Sequence, residues 1–447
     1  MRSKFSFFSY LRLRRILFFF FLPLSFIHHS SSVSAQTSSS SPYSRYGLGD
    51  LQYTGFANTA AMGGVSYAYQ NDSIAPFYIN VNNPASLSKT YFTTFDVGVM
   101  DRLTRMETSS QSFDVNRTAL SHIAFAFPVR KWWGASFGIM PFSNVGYNVN
   151  TSEYVNNVGN VCYAYKGSGG LNEIFLANGM SRGNLSFGAT VSYLFGALDL
   201  ESRDSFPDLT NSWSTRVNES QHFNDVYFKG GLQYKLNMRK QWTMLFGLTA
   251  NMQTQLTAHS TVLAMTYRYR FSIDQTKDTV QYISDQKESV LLPAMYGFGI
   301  AFRKGERLYI NADYSMQNWS SFDSFGQKGL LGNSNRISAG FQYWPDRNST
   351  KGPYYKKMAY RAGARFSNTY LLLGRQTPLT DMAFTFGFGM PLRITKVGEN
   401  YNQAMLNLSF ELGQRGTIEN DLIRENYIRV VLGFSINEKW FIQRKYD

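Results

Sequence analysis

Tyr427-Ile428-Arg429-Val430-Val431-Leu432-Gly433-Phe434-Ser435-Ile436-Asn437 is the stretch that decides the fold. Ile428, Val430, Leu432, Phe434 and Ile436 fall on one face, and Arg429, Gly433 and Ser435 on the other. A period of two is what a β-strand imposes on its side chains. Here the large apolar residues form one unbroken face while the opposite face is small or charged. A soluble sandwich alternates in this way over four or five residues. This chain repeats the pattern about a dozen times in long runs rich in Phe, Tyr and Trp, which is how a transmembrane β-barrel reads, with lipid outside and polar side chains inside.

Other runs alternate as cleanly. Leu185, Phe187, Ala189, Val191, Tyr193 and Phe195 oppose Ser186, Gly188, Thr190 and Ser192, and Met382, Phe384, Phe386, Phe388 and Met390 oppose Thr385, Gly387 and Gly389. From Tyr91 onward fourteen such runs are expected, at about 91–107, 119–130, 132–150, 170–181, 184–200, 224–237, 241–257, 288–303, 306–319, 333–344, 356–369, 379–391, 402–414 and 425–437. Connections two, four, six and eight are tight, and connections ten and twelve run to about ten residues. Odd-numbered connections tend to be longer, at roughly 151–169, 201–223 and 258–287. Short turns on one rim and long loops on the other is the outer-membrane rhythm, and it puts both chain ends on the periplasmic side. The fold expected is therefore all-β: a 14-stranded antiparallel transmembrane β-barrel with an N-terminal plug.

The start fits an exported protein. Arg2, Lys4, Arg12, Arg14 and Arg15 form a basic region, Ile16 to Ile27 an apolar one, and Val33-Ser34-Ala35 a cleavage site. About 12 apolar residues fall short of the roughly 20 that a helical span needs. Residues 1–35 are thus read as a cleaved signal peptide and 36–90 as a plug. Residues 91–437 are the barrel and 438–447 a basic periplasmic tail. The location expected is the outer membrane of a Gram-negative bacterium. The lone Cys162 excludes an internal disulfide and a cysteine metal cluster. The net charge of +14 invites a nucleic-acid reading. Five of those charges lie in the signal. The short-turn rim and tail carry seventeen basic against five acidic side chains, which accounts for the remaining excess. The positive charge is a rim that meets lipid phosphates, not a nucleic-acid groove.

Ala61-Met62-Gly63-Gly64, Asn71-Asp72-Ser73 and Asn83-Pro84-Ala85 precede the first strand. This segment resembles the plug of the long-chain fatty-acid transporter (FadL-type) family of outer-membrane proteins, which carries an Ala-Met-Gly-Gly stretch and an Asn-Pro-Ala motif. The family barrel also has fourteen strands. The segment Ser41 to Gly49 and a tail of about ten residues beyond the last strand look like a divergent branch of it. The resemblance implies passive uptake of small hydrophobic, fatty-acid-like molecules through a plugged lumen. It also implies lateral release at a kink in the third strand. Pro141 lies inside that strand here, followed by Phe142, Ser143 and Asn144. A proline cannot donate to a ladder, so this segment is the candidate lateral gate, and an ordinary bulge is the other reading.

Inward parity places Asp96, Lys229, Lys235, Asp313, Arg336, Arg361, Arg365 and Glu411 in the lumen. Pairing among themselves and with the plug is one role for them. The other is an anion or carboxylate site, for which Arg336, Arg361, Arg365 and Lys229 are the candidates, because a guanidinium fork suits a carboxylate. Leu371, Leu372 and Leu373 are placed in a loop that captures ligand or packs against its neighbours. The chain is read as not an enzyme, with no cofactor and no metal. His122 faces inward beside Ser121 but has no third group positioned by sequence, so it is read as a polar lumen histidine. Gly167 to Gly170 lacks the lysine of a phosphate loop and is read as a loop before strand four. The partners expected are outer-membrane lipid and lipopolysaccharide, a hydrophobic ligand, and a periplasmic or outer-membrane protein. The alternative function is a non-transport barrel subunit of an outer-membrane assembly or secretion complex, which the basic tail would suit.

Overall fold

The computed structural model describes residues 41–52, 55–70, 78–209, 212–270, 273–324, 327–328, 331–346, 352–373, 377–397, 400–419 and 422–438. The signal-peptide reading and all but the first residue of the tail lie outside the described residues. No described helix is long and apolar enough to cross a membrane; crossing falls to strands. Fourteen of these form the wall. They are β1 Thr93–Glu107, β2 Ser112–Arg130, β3 Trp133–Pro141 resuming at Ser143–Val155, β4 Gly159–Arg182, β5 Leu185–Ser205, β6 Ser214–Asn237, β7 Trp242–Asn251 resuming at Thr254–Arg270, β8 Ile273–Leu292 resuming at Met295–Lys304, β9 Leu308–Gln317, β10 Ser334–Tyr343, β11 Ala359–Leu373, β12 Thr377–Val397, β13 Asn400–Arg415 and β14 Arg424–Glu438. Each pairs antiparallel with the next. β1 closes on β14 from Thr93 opposite Glu438 to Glu107 opposite Arg424.

The alternation has the expected consequence. Val99, Leu103, Phe187, Leu232, Phe298, Ile337, Phe384 and Leu432 are all exposed. Their inward neighbours Thr190, Gln233, Ser338 and Thr385 are buried. So large an exposed apolar band is tolerated because lipid covers it. β9 and β10 are ten residues each, about what a tilted strand needs to cross the hydrocarbon. β4 and β6 are 24 residues each and rise far beyond it.

Those tall strands correct the loop map. Residues 151–169, 201–223 and 258–287 are ladder over most of their length, from Val155 opposite Gly159 to Arg270 opposite Ile273. Above the lipid band no outward apolar series is needed, so the period-two signal fades while Thr, Tyr and Val still pair well in strands. Connection twelve is likewise shorter than expected, since the β12–β13 ladder runs to Val397 opposite Asn400. Gly167 to Gly170 lies within β4, not in a loop before it.

Inside the barrel lie residues 41–52, 55–70 and 78–90, and we call the last two stretches the plug for their position alone. The short helix Ala57–Ala60 and the 3-10 helix Pro84–Lys89 are buried almost throughout. The wall meets the segment 57–88 with a belt of inward glycines. A Cβ on Gly188 would lie 2.4 Å from the Pro84 carbonyl carbon, and one on Gly363 would lie 2.3 Å from that of Met62. Gly247 and Gly340 meet the Tyr67 and Met62 backbone in the same way, while Gly387 and Gly433 face the Ala61 and Ala57 methyl groups. Only a missing side chain lets one backbone come this close to another.

Gly188→Val and Gly363→Val should therefore leave a folded barrel with an unseated plug. The expected result is normal heat-modifiable migration on gels, with faster protease cleavage between residues 55 and 90. Wild-type protection in both variants would show that the belt does not seat the plug.

Candidate functional site

The wall is not paired all the way round. β2 and β3 are bonded from Arg130 opposite Trp133 up to Ile123 opposite Ile139. Beyond that point, Ser112–His122 of β2 pairs only with β1, and the upper part of β3 pairs only with β4 among the wall strands. The ladder stops where Pro141 stands. The Phe142 N–H bonds to Leu171 O of β4 at 2.8 Å, and N–H groups of adjacent residues point to opposite sides of a strand. The N–H that proline lacks is thus the one that would have faced β2. Opposite the break, Gly170 makes room: a Cβ there would lie 2.5 Å from Ser143 O.

The free edge of β3 is covered from within by residues 41–52, which we term the cap. Gln52 N–H donates to Phe142 O at 2.9 Å, and Asp50 and Leu51 pair with Asn144 and Ser143. Ser41 N–H donates to Gly146 O at 3.0 Å, and Gly146 N–H to Ser44 Oγ at 3.0 Å. The cap also closes the tall mouth of the barrel. Tyr43 and Leu48 are buried among Leu198, Phe223, Trp319, Leu331, Tyr370 and Leu379. Leu371 belongs to this packed cluster, on β11 and not in a loop.

Ion pairs hold the cap. Arg415 of β13 bonds Asp50 and Ser41, and reaches Glu425 of β14 at 2.8 Å. Arg102 of β1 approaches Asp50 and Glu425 at 3.8 Å. Burial pushes the Asp50 carboxyl up, but Arg415 and Arg102 outweigh it and hold the group below the ordinary carboxylate range. Arg102, Arg415 and Glu425 were not among the residues singled out by sequence. Their inward parity was the available signal, and it does not say which inward charge meets the cap.

Between cap and plug lies a cavity of about 150 Å³, lined by Gln52, Tyr67, Phe142, Glu173, Tyr227, Lys229, Leu292, Met295, Asp313, Trp319 and Arg336 among others. Of the four candidate cations, two line it and two do not. Arg336 Nη2 donates to Gly63 O at 2.8 Å and Nε to Ser338 Oγ at 3.1 Å. Lys229 is 5% exposed and borders the same space. Arg361 is spent on Gln342, Asn407 and the Tyr78 hydroxyl. Arg365 pairs with Asp381, Glu411 and Tyr427, and lines a smaller space of about 90 Å³ beneath the cap.

Asn83, Pro84 and Ala85 sit against the inner wall. Asn83 Nδ2 donates to Tyr67 O at 2.7 Å and to Leu232 O and Leu248 O of β6 and β7 at 3.2 and 3.1 Å. Its Oδ1 caps the following 3-10 helix by accepting from Ala85 N–H at 3.1 Å. One amide thus ties plug to plug and plug to wall.

His122 does acquire a third group. Ser121 is the extra residue of a bulge between Gly98 and Val99 of β1, so Ser121 and His122 both turn inward. Ser121 Oγ lies 3.1 Å from His122 Nδ1, and His122 Nε2 lies 2.8 Å from Asp96 Oδ1. The imidazole is also stacked face to face on Phe56 of the plug at 3.5 Å. The space beside Ser121 is about 30 Å³, room for a water or two and not for an acyl group. The triad-like row is a clamp on the plug. Among the described residues no group of three His, Cys, Asp or Glu is placed to hold a metal.

The family model BamG matches residues 14–447. No curated protein matches the sequence significantly. Among solved structures, the toluene transporter TodX of Pseudomonas putida is similar, with 16% identity and a TM-score of 0.54 over 88% of this chain and 100% of that one. The toluene transporter TbuX of Ralstonia pickettii has 15% identity and a TM-score of 0.53, covering 91% and 100%. A FadL homologue of Pseudomonas aeruginosa has 11% identity and a TM-score of 0.54, covering 88% and 99%. These neighbours are transport proteins rather than enzymes by their names, and at such identities the likeness establishes the FadL-type barrel fold.

Because the Asp50 carboxyl is depressed on folding, its contribution to cap stability is complete above the unfolded value of about 4 and is lost as pH falls below it. Hydrogen exchange of residues 41–52, corrected for intrinsic rates, should therefore be slow from pH 8 to 5 and accelerate below about 4. Arg415→Gln leaves two buried carboxylates without their main partner, which costs roughly 3 kcal/mol and should speed cap exchange at pH 7 about a hundredfold. Equal protection in wild type and variant would show that the ion pairs do not retain the cap.

Proposed function

This chain belongs to the BamG family, and we propose that it is an outer-membrane barrel that passes small hydrophobic molecules across the lipopolysaccharide layer without energy input. One observation carries the reading. The break in the β2–β3 ladder above Ile139 lies beside the cap–plug cavity, and Phe142 borders both. A molecule that reaches the cavity has a route sideways into lipid that avoids the plug. The same cap closes the mouth above and the gap at the side, so one movement admits ligand and opens its exit. Pro141 keeps the wall from zipping shut, and Phe142, Ser143 and Asn144 form the gate edge that the cap releases. The toluene-transporter neighbours support a hydrophobic cargo for this architecture.

A second reading has its own observation. Cap and plug block the lumen at two levels, which suits a non-transport barrel subunit of an outer-membrane assembly or secretion complex. Tyr354, Tyr355 and Lys356 are exposed at the short-turn rim and would be a contact for a periplasmic partner.

The test ties the cap to the gate edge. Leu51 and Ser143 are register partners, so Leu51→Cys with Ser143→Cys, in a Cys162→Ser background, should form a disulfide that locks both openings. Toluene uptake by cells carrying the oxidised variant should fall at least tenfold and return on reduction. Uptake that ignores both the lock and deletion of the protein, together with a complex of fixed composition on native gels, would decide for the subunit reading.

A further inference from the structure

We propose that the free edge of β2, residues 112–121, is an acceptor for an extended segment of another polypeptide that carries lysine or arginine, docked by strand addition at the upper part of the β2–β3 break. The proposal rests on the subunit reading only for where that segment comes from. Two independent observations meet on this lip. The first is the backbone. Above Ile123, β2 pairs with β1 and with no other described residue. In an antiparallel strand alternate residues turn both N–H and C=O to the same side. About half of this stretch therefore presents donors and acceptors to an empty side. The cap does not fill it, because its ladder lies on β3, at Ser143 and Asn144.

The second observation is the side chains. Asp101 faces outward between Val99 and Leu103, both exposed, and accepts a hydrogen bond from Thr118 of β2 at 2.5 Å. Asn116 and Asp114 continue the same face of β2, and both are exposed. The nearby Arg105 is engaged by Glu107 at 3.2 Å, and Asp101 and Asp114 have no ion-pair partner among the described residues. An outward carboxylate beside hydrocarbon is costly, and a cation placed over it relieves the cost.

The chemistry of the lip selects its occupant. A hydrocarbon leaves the edge unpaired. A lipid phosphate offers acceptors to the N–H groups but no donors to the C=O groups, and Asp101 and Asp114 repel it. A second copy of β2 brings a second set of carboxylates to the same face. A peptide edge repeats donors and acceptors at the spacing of a strand, and a basic side chain on its outward face meets Asp101 and Asp114.

The experiment titrates the purified full-length barrel in nanodiscs with three fluorescent peptides of Val and Thr. One carries lysines, one carries glutamates in their place, and one carries lysines with proline at alternate positions. Binding is read by anisotropy and by amide exchange of residues 112–121, and heat-modifiable migration reports folding. In the free barrel, alternate amides of this stretch should exchange at least a hundredfold faster than those of β1. The lysine peptide should bind one site per barrel, at least tenfold tighter than the glutamate peptide, and protect these amides. The proline peptide should not bind. Asp101→Asn with Asp114→Asn should abolish the preference for lysine, and Asp114→Asn alone, at the more exposed position, should reduce it. Slow exchange of the whole stretch in the free barrel overturns the proposal, because the edge is then occupied. So does a lysine peptide that fails to bind, binds no better than the glutamate peptide, or ignores the loss of the two carboxylates. Equal protection by anionic lipid alone, or by self-association of the barrel, assigns the edge to lipid or to a second copy and also overturns it. A complex of fixed composition on native gels that survives the double variant removes this site and keeps the subunit reading. Lysine-peptide binding with the stated dependence, in cells where the protein forms no complex, keeps the site and removes only that reading.

Discussion

In hydrocarbon every backbone N–H and C=O must find a partner within the protein, and the rest of this structure depends on that constraint. Most of the fourteen strand junctions meet it by antiparallel pairing through the wall, with a shorter interruption between β6 and β7 from Phe223 to Lys229. The β2–β3 junction does not, because a proline occupies the position whose N–H would have faced β2. The orphaned edge is satisfied by the chain's own N-terminal segment, which adds a two-residue strand at Asp50–Leu51 from the inside. A breach in the wall and the means of closing it are thus one feature. An edge that only the cap satisfies cannot be left bare in lipid, and this makes the cap part of the wall.

The interior follows from the other half of the alternation. Inward side chains are small or polar, so they cannot hold a plug by apolar burial alone. They hold it by close backbone approach at the glycine belt and by directed bonds. Arg336 reaches Gly63 O, Thr385 bonds Gly63 N–H at 2.7 Å, and Asn83 spans plug and two strands. Each bond fixes a position but is worth little by itself, since bonds to water are given up in exchange. The plug is therefore seated by many modest contacts, whereas the cap depends on its edge pairing with β3, a buried ion-pair cluster and an aromatic pocket.

How much of this was legible in the sequence depended on the signal each feature leaves. All fourteen strands were, because Ile428 to Ile436 and its counterparts must present apolar residues to lipid at every second position. The tall extensions of β3 to β8 were not, because above the lipid band nothing demands outward apolar residues. Pro141 was legible as a break, since its chemistry is local. The cap was not: Ser41 to Gly49 has no period, and Asp50 meets Arg415 across 365 residues. The same limit applied to the lumen cations. Parity put Lys229, Arg336, Arg361 and Arg365 inside on equal terms, and only register shows that Asp381 and Glu411 stand beside Arg365 while Lys229 has no such neighbour. His122 gained Asp96 through pairing of β1 with β2, a relation that spacing along the chain does not encode.

The mode of cap retention bears on whether a closed barrel can open at all. A plug bonded round the whole wall would have to lose many contacts together, and that makes a slow and costly movement. The cap is joined to the wall by its main-chain bonds to β3, by the aromatic pocket and by the ion-pair cluster. Its Coulombic attachment is strong in the dry state but is replaced readily once water enters, because hydration of Asp50, Glu425 and Arg415 offsets the lost pairs. Such a cluster is stable when closed and loses much of its cost of opening as it becomes wet, which gives two states with little between them. On the proposed uptake reading, a breach in the wall, a cover held by a wettable ion-pair cluster and a cavity behind both would form a gate that one movement operates, while the plug remains seated below.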